Sequence, residues 1–214
     1  MSIALHRAAL ALIFVGISAG TLSACAPIVL GGAMMGGTMV ATDRRTSGTQ
    51  LEDEGIELRA NSRLRENIGD RAHINVTSYN RKVLLTGEVP SEQDKQLVEK
   101  IIVNVDNVRE VVNELAVMGN SSFTQRSSDA IVTGKVKANL LDARDLFANA
   151  FKVSTERGTT YVMGRVTARE AKRGTEVISG TSGVQRLVRV LEIISEDELA
   201  RLMPQPPAAD ATKK

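Results

Sequence analysis

The chain contains one pattern of residues twice, and this repetition is the strongest constraint on its fold. Residues 74–89 (INVTSYNRKVLLTGEV) align without a gap with residues 151–166 (FKVSTERGTTYVMGRV), 77 positions later. Each stretch has an alternating apolar run, a polar turn and a second run that ends in Gly-x-Val, which predicts a β-hairpin. A stretch of helical spacing and then an apolar run that predicts a closing strand follow in both repeats: 91–105 and 108–115, then 168–181 and 184–191. The chain is therefore predicted to fold as two copies of one unit.

An amphipathic helix is predicted to open each repeat. Apolar residues recur every fourth position ahead of both hairpins: Ile56, Ala60 and Leu64 in the first repeat, and Val132, Val136 and Leu140 in the second. The unit is then αββαβ. Two helices covering one face of a three-stranded mixed sheet give a two-layer α+β sandwich. We place the two domains at 51–119 and 124–196, and expect them to pack together because each alone is small.

The composition excludes several kinds of chemistry. The chain has one Cys and two His, and His6 lies in a segment that we expect to be cleaved, which leaves His73. These counts exclude a zinc site of Cys and His ligands, a Cys–His nucleophile and a disulfide framework. Acidic runs at 52–54 and 196–198 lie at domain edges, where carboxylates are usually solvated. The sequence also lacks a nucleophile elbow, a P-loop and a dinucleotide fingerprint.

We therefore predict a protein without catalytic residues, metal or cofactor, in which His73 has a structural role. The net charge of +2 results from 27 basic and 25 acidic residues that nearly cancel. It gives no support for a nucleic-acid partner, since such a partner requires a local basic stripe.

The N-terminus predicts secretion and lipidation. Residues 1–24 combine a basic start, an apolar run and small residues, which is typical of a signal peptide and too short to span a bilayer. Residues 22–25 (LSAC) resemble a bacterial lipobox, which implies that Cys25 becomes the first mature residue and carries three acyl chains. An ordinary signal peptide with an incidental Cys is the alternative. Bacterial lipoproteins kept at the inner membrane usually have Asp after the Cys, so Ala26 favours the periplasmic face of the outer membrane.

The segments at the two ends of the mature chain are predicted to lack a fold. Residues 25–50 begin with a Gly-rich apolar run of 16 residues, shorter than the ~20 that span a bilayer. We interpret this segment as a flexible tether, with helix pairing through Gly32 and Gly36 as the alternative. The Pro-rich residues 197–214 predict a disordered tail.

One helix carries a candidate binding surface. In the predicted helix from Ser128 to Leu146, positions 132, 136 and 140 face the sheet, while the stripe at 131, 135, 138 and 142 is left free. Apolar residues rimmed by basic ones would attract an anionic bilayer. The alternative is a core helix with ordinary solubilising Lys residues. The predicted phospholipid-binding residues are Ile131, Lys135, Lys137, Ala138, Leu141 and Arg144.

The repeated pattern resembles the BON domain, through the Gly-x-Val hairpins and the turns at 106–108 and 182–184. Two such domains behind a lipobox, with the stretches ATDRR (41–45), INVT (74–77) and REAK (169–172), resemble the dual-BON outer-membrane lipoproteins of the DolP family. The resemblance implies binding of phosphatidylglycerol and cardiolipin by the first helix of the second domain. It also implies roles in envelope integrity and at division sites, and a link to the outer-membrane protein assembly machinery.

Two positions have counterparts in that family. The family's aromatic residue near the start of this helix is matched here by Ile131, and Gly134 weakens the first turns. Tyr79 matches a family Tyr and is interpreted as an interdomain contact. Arg59, Arg63 and Arg65 give the first repeat's helix a similar basic surface. The rival hypothesis is a periplasmic scaffold that binds envelope proteins or peptidoglycan, attached to the membrane only through acylated Cys25.

Overall fold

The computed structural model describes residues 43–202. The predictions for the signal peptide, Cys25, the tether as far as residue 42 and the tail beyond residue 202 lie outside the described residues. None of the helices in the described part of the chain combines the length and the apolarity that crossing a membrane requires.

The first repeat has the predicted order of elements. A side-chain N-cap starts each of its two helices. Thr46 Oγ1 accepts a hydrogen bond from the N–H of Thr49, and Ser91 Oγ accepts one from the N–H of Asp94. The antiparallel hairpin of β1 (His73–Tyr79) and β2 (Lys82–Val89) is extended by a third strand parallel to β2, which is interrupted at residues 114–115. The elements are α1 (Ser47–Asn67), a 3₁₀ turn (Gly69–Arg71), β1 (His73–Tyr79), β2 (Lys82–Val89), α2 (Glu92–Val103), β3 (Glu110–Asn113) and β4 (Ala116–Val117).

The second repeat has the same topology, with strand order β5-β6-β7, an antiparallel hairpin and a parallel third strand. Its second helix begins with a capping box formed by Thr167 and Glu170. The elements are α3 (Phe123–Asp142), a 3₁₀ turn (Ala148–Ala150), β5 (Phe151–Glu156), β6 (Thr159–Thr167), α4 (Ala168–Ser179), β7 (Arg186–Ile194) and α5 (Glu196–Leu202). The tandem α+β prediction is confirmed.

The ends of several elements differ from the prediction. Helix α1 begins at Ser47, inside the segment assigned to the tether, and α3 begins at Phe123 rather than Ser128, because Thr46 and Ser122 cap them. Helix α3 also ends at Asp142 rather than at Leu146. Residues 197–202, predicted to be disordered, form most of α5, where Leu199 is buried.

Three clusters of apolar residues hold the fold together. Each repeat has one cluster between its helices and its sheet. A third cluster joins the repeats and contains Tyr79 and Leu84 from the first, and Tyr161 and Met163 from the second. Alternate residues of a strand face opposite sides of a sheet. The central strands β2 and β6 are therefore buried on both faces, and the two sheets pack against each other on the sides away from their helices.

Candidate functional site

Helix α3 is fixed to its sheet by one apolar stripe. Val132, Val136 and Leu140 are buried and belong to the core cluster of the second repeat. This is the stripe that the sequence predicted to face the sheet, and it sets which residues point outward. At 1.5 Å per residue, the outward side runs about 27 Å from Phe123 to Leu141.

A buried carboxylate also fixes the rotation of α3. Asp129 accepts hydrogen bonds from the backbone N–H groups of Arg157 (2.8 Å) and Gly158 (2.9 Å), in the tight turn of the β5–β6 hairpin. Asp53 does the same in the first repeat, accepting from the N–H groups of Asn80 (2.8 Å) and Arg81 (2.7 Å). Sequence reasoning missed both residues, although an Asp at the same place in each repeat was a visible signal.

The predicted contact residues lie on the exposed side of α3 and just beyond its end. Ile131 is 61% exposed and Leu141 is 74% exposed. Ala138 lies between them and is also exposed. The three predicted basic residues, Lys135, Lys137 and Arg144, are exposed as well. The structure thus brings the apolar and basic members of the predicted set to one side of the second repeat.

Phe123 extends this surface and was not predicted. It is the first residue of α3 and is 79% exposed. A helix turns by about 100° per residue, so five exposed apolar side chains fall within roughly 100° of arc. We call this arc the outer face of α3; it consists of Phe123, Ala130, Ile131, Ala138 and Leu141.

Free basic groups flank the outer face. Among the described residues, Arg126, Lys135, Lys137 and Arg144 form no ion pair with a carboxylate. Lys135 lies on one flank, and Arg126 and Lys137 lie on the other. Asp142 is the exposed acid nearest this arc, so the local charge is positive.

The corresponding helix of the first repeat has a different surface. Leu51 and Leu58 are exposed on α1, but Arg59 pairs with Glu52 at 2.6 Å and Arg63 donates to the carbonyl of Asn104. The similar basic surface expected from Arg59, Arg63 and Arg65 is therefore only partly present, since Glu52 neutralises Arg59 and Arg63 is held against a backbone carbonyl. Only Arg65 points freely outward.

Tyr79 lies in the cluster between the two sheets. Its ring contacts the guanidinium of Arg45, with 4.3 Å from Cζ to the ring centroid. Burial raises the pKa of Tyr79 to about 12, so the phenol stays neutral at physiological pH. Polar contacts surround this cluster, among them Lys152–Glu57 at 2.7 Å and Asn80–Glu192 at 2.8 Å.

Residues 43–45, which we call the strap, precede the first repeat and contact both repeats. Arg45 pairs with Asp53 of α1 at 2.8 Å, while Arg44 binds the second repeat. The Arg44 guanidinium donates to both carboxylate oxygens of Glu170, at 2.8 and 2.6 Å, and to the carbonyl of Arg165 at 2.8 Å. It also lies over the ring of Phe147, just beyond the end of α3, at 5.9 Å. Burial alone would raise the pKa of Glu170, but the hydrogen bonds from Arg44 and Thr167 lower it below its usual value.

Comparison with known proteins shows which family this chain resembles. The family model described as "BON domain" matches residues 52–119 and 128–195. The chain is 34% identical over 175 residues to the outer membrane lipoprotein DolP of Haemophilus influenzae, covering 81% of this chain and 90% of that protein. It is 30% identical to a 21 kDa hemolysin of Actinobacillus pleuropneumoniae, covering 71% and 79% respectively.

A solved structure gives a weaker match. The C-terminal domain of CdsD, a structural protein of the type III secretion system of Chlamydia trachomatis, has a TM-score of 0.27 at 14% identity over 67% of each chain. That likeness is too low to support an inference about arrangement or function.

Proposed function

The chain belongs to the DolP family of proteins with two BON domains, and from this premise we propose that it is a non-enzymatic outer-membrane lipoprotein that binds anionic phospholipid through the outer face of α3. In this proposal, the acylated Cys25 holds the protein on the periplasmic face of the outer membrane. The second repeat then binds headgroups such as those of phosphatidylglycerol and cardiolipin. The observation that carries the proposal is a set of exposed apolar side chains flanked by unpaired basic groups.

Both parts of this surface favour a charged bilayer over water. Phe123, Ile131 and Leu141 are large apolar side chains whose insertion removes surface from water. Each Lys or Arg close to an anionic leaflet contributes about 1 kcal/mol, so the four flanking basic groups contribute up to ~4 kcal/mol at low ionic strength. Asp142 opposes this attraction, and salt weakens it. Binding is therefore expected to require anionic lipid and to fall with ionic strength.

The aromatic residue supports the same conclusion. Phe is among the side chains typical of the apolar face of a helix that lies on a membrane, and Ile131 is not aromatic. Phe123 supplies an aromatic ring to the same outer face two turns earlier in the helix. In this chain we therefore expect the contact with lipid to be shifted toward the N-terminal end of α3.

Vesicle cosedimentation tests the proposal. The mature chain with Cys25→Ser should sediment with phosphatidylglycerol vesicles at low salt and stay in solution with phosphatidylcholine vesicles. Ile131→Asp and the pair Lys135→Glu, Lys137→Glu should each abolish sedimentation while leaving the circular dichroism spectrum unchanged. Leu51→Asp, at an equally exposed position of α1, is the matched control and should bind like the parent. A parent that stays in solution even at low salt refutes lipid binding.

A second experiment separates lipid from protein partners in cells. The proposal extends to a role in envelope integrity at division sites and to a link with the outer-membrane protein assembly machinery. A fluorescent fusion should concentrate at division sites and lose this position when Ile131→Asp is introduced. A photo-crosslinker at position 131 that captures an envelope protein instead of lipid would favour the scaffold hypothesis.

A further inference from the structure

Three potential metal ligands from both repeats meet at the junction between the repeats. His73 begins β1 and is paired across the hairpin with Glu88 of β2. Glu156 ends β5 of the second repeat. One ligand atom from each of these three side chains lies within 4.8 Å of the others. Sequence analysis predicted no metal because His73 has no second His or Cys nearby, and residue spacing gave no sign that two carboxylates converge on it.

We infer that His73, Glu88 and Glu156 form a binding site for a divalent transition metal, with zinc the best match, that joins the two repeats. An imidazole nitrogen and two carboxylate oxygens, with water as the fourth ligand, are a donor set that suits zinc. Ligand atoms bound to one tetrahedral zinc ion at 2.0–2.2 Å lie about 3.3 Å apart. The His73 Nδ1 to Glu88 Oε2 distance of 3.0 Å is already close to that value, so Glu156 requires the larger adjustment.

Glu88 is held as a metal-binding carboxylate is usually held. It is almost fully buried, and its Oε1 accepts from Nε of Arg157 at 2.7 Å. Its Oε2 accepts from the backbone N–H and the hydroxyl of Ser121, both at 3.1 Å. Hydrogen bonds of this kind orient ligating side chains and raise metal affinity. His73 Nδ1 lies 3.0 Å from the same oxygen and 3.4 Å from the Ser121 hydroxyl, so a bound metal ion would replace these hydrogen bonds of the imidazole.

The negative charge at this point is only partly compensated. Glu156 has one hydrogen-bond donor, Asn75 Nδ2 at 2.6 Å, and among residues 43–202 it forms no ion pair. Arg157 compensates Glu88 alone. A divalent cation would compensate the remaining charge.

Solvent can reach the site. A cleft of about 410 Å³ opens beside it, and His73, Asn75, Asp129 and Glu156 are among its lining residues. The cleft leaves room for a water ligand and for entry of the ion. A bound ion would tie β1 and β2 of the first repeat to β5 of the second, at the rim of the contact between the two sheets.

Zinc titration of the mature chain with Cys25→Ser tests the inference, because His73 is then the only His. After treatment with EDTA and dialysis, calorimetry should show one zinc ion per chain. The single imidazole should shift at Nδ1 in ¹⁵N spectra, and zinc should raise the melting temperature. Glu156→Gln keeps an acceptor for Asn75 and should lower affinity at least tenfold, as should His73→Gln.

Glu192→Gln is the matched control, since Glu192 is another carboxylate that joins the repeats but lies outside the cluster. This variant should bind zinc like the parent. The inference is overturned if 100 µM zinc neither shifts the imidazole nor binds with one-to-one stoichiometry. Binding that persists unchanged in both His73→Gln and Glu156→Gln would also overturn it, because the zinc would then lie at other surface groups. These readouts do not depend on lipid binding.

Discussion

Replacing Arg44 by Met tests whether the strap stabilises the whole fold. Arg44 and Glu170 are both buried, with 5% and 1% of their surfaces exposed, and are joined by two hydrogen bonds. Met keeps the length and apolar contacts of the Arg side chain but leaves the Glu170 carboxylate buried without its cation. Breaking a buried pair from one side costs about 3–5 kcal/mol. At roughly 2–4 °C per kcal/mol for a domain of this size, the melting temperature should fall by about 6–20 °C.

The pH dependence identifies the cause of this loss. In the parent, Arg44 and Thr167 lower the pKa of Glu170, so the stabilisation is present at neutral pH and is lost as pH falls through that lowered value. In Arg44→Met, burial without the cation raises the pKa of Glu170 instead. Protonation at mildly acidic pH then removes the buried charge, so the difference in unfolding free energy between parent and variant should narrow as pH falls.

Urea unfolding at pH 7.5 and pH 4.5 is the assay. Arg173→Met is the control, because Arg173 forms an exposed ion pair with Asp145 at 3.0 Å that does not involve Glu170, and such pairs contribute only about 0–1 kcal/mol. If Arg44→Met is destabilised no more than this control, the strap is not a structural part of the second repeat. A loss that is the same at both pH values would show that the Glu170 charge is not its source.

Two further predictions concern the outer face and the glycines. The chain has no Trp, so Phe123→Trp introduces a single Trp, whose emission should shift to the blue with phosphatidylglycerol vesicles. The emission of Leu51→Trp on α1 should not shift, and equal shifts would contradict the assignment of lipid contact to α3. In Gly134→Ala the added Cβ meets no atom within 4 Å, so the free energy of unfolding measured with urea should rise by about 0.5–1 kcal/mol. In Gly87→Ala the Cβ would lie 2.1 Å from the His73 carbonyl oxygen, so this variant should be strongly destabilised.

The repeated architecture could be predicted because it depends on local patterns. Alternation in the hairpins and four-residue spacing in α1 and α3 fix both the order of elements and the buried faces. The helix starts were less visible. Asp53 and Asp129 interrupt the apolar stripe in the first turns, because their carboxylates hold hairpin turns 25 or more residues away along the chain. The apolar spacing therefore could not be followed past these Asp residues to the true helix starts.

Prediction of the candidate site from sequence was more limited. Ile131 and Leu141 could be placed on the exposed side by subtracting the buried stripe, but Phe123 was missed with the first turns of α3. The ion pair of Arg44 with Glu170 joins residues 126 positions apart, and Glu156 comes from a different repeat than His73. Contacts of this kind depend on how the two sheets pack, and that packing cannot be predicted from residue spacing or composition.

The strap determines where a mechanical load would enter the protein. Asp43 lies 18 positions after Cys25, a stretch that reaches about 60 Å at most when extended. If Cys25 is acylated as proposed, a pull on this stretch first reaches Arg44, which Glu170 of α4 holds, and then Arg45, which Asp53 of α1 holds. The force would therefore be divided between one buried ion pair in each repeat before it could unwind the start of α1.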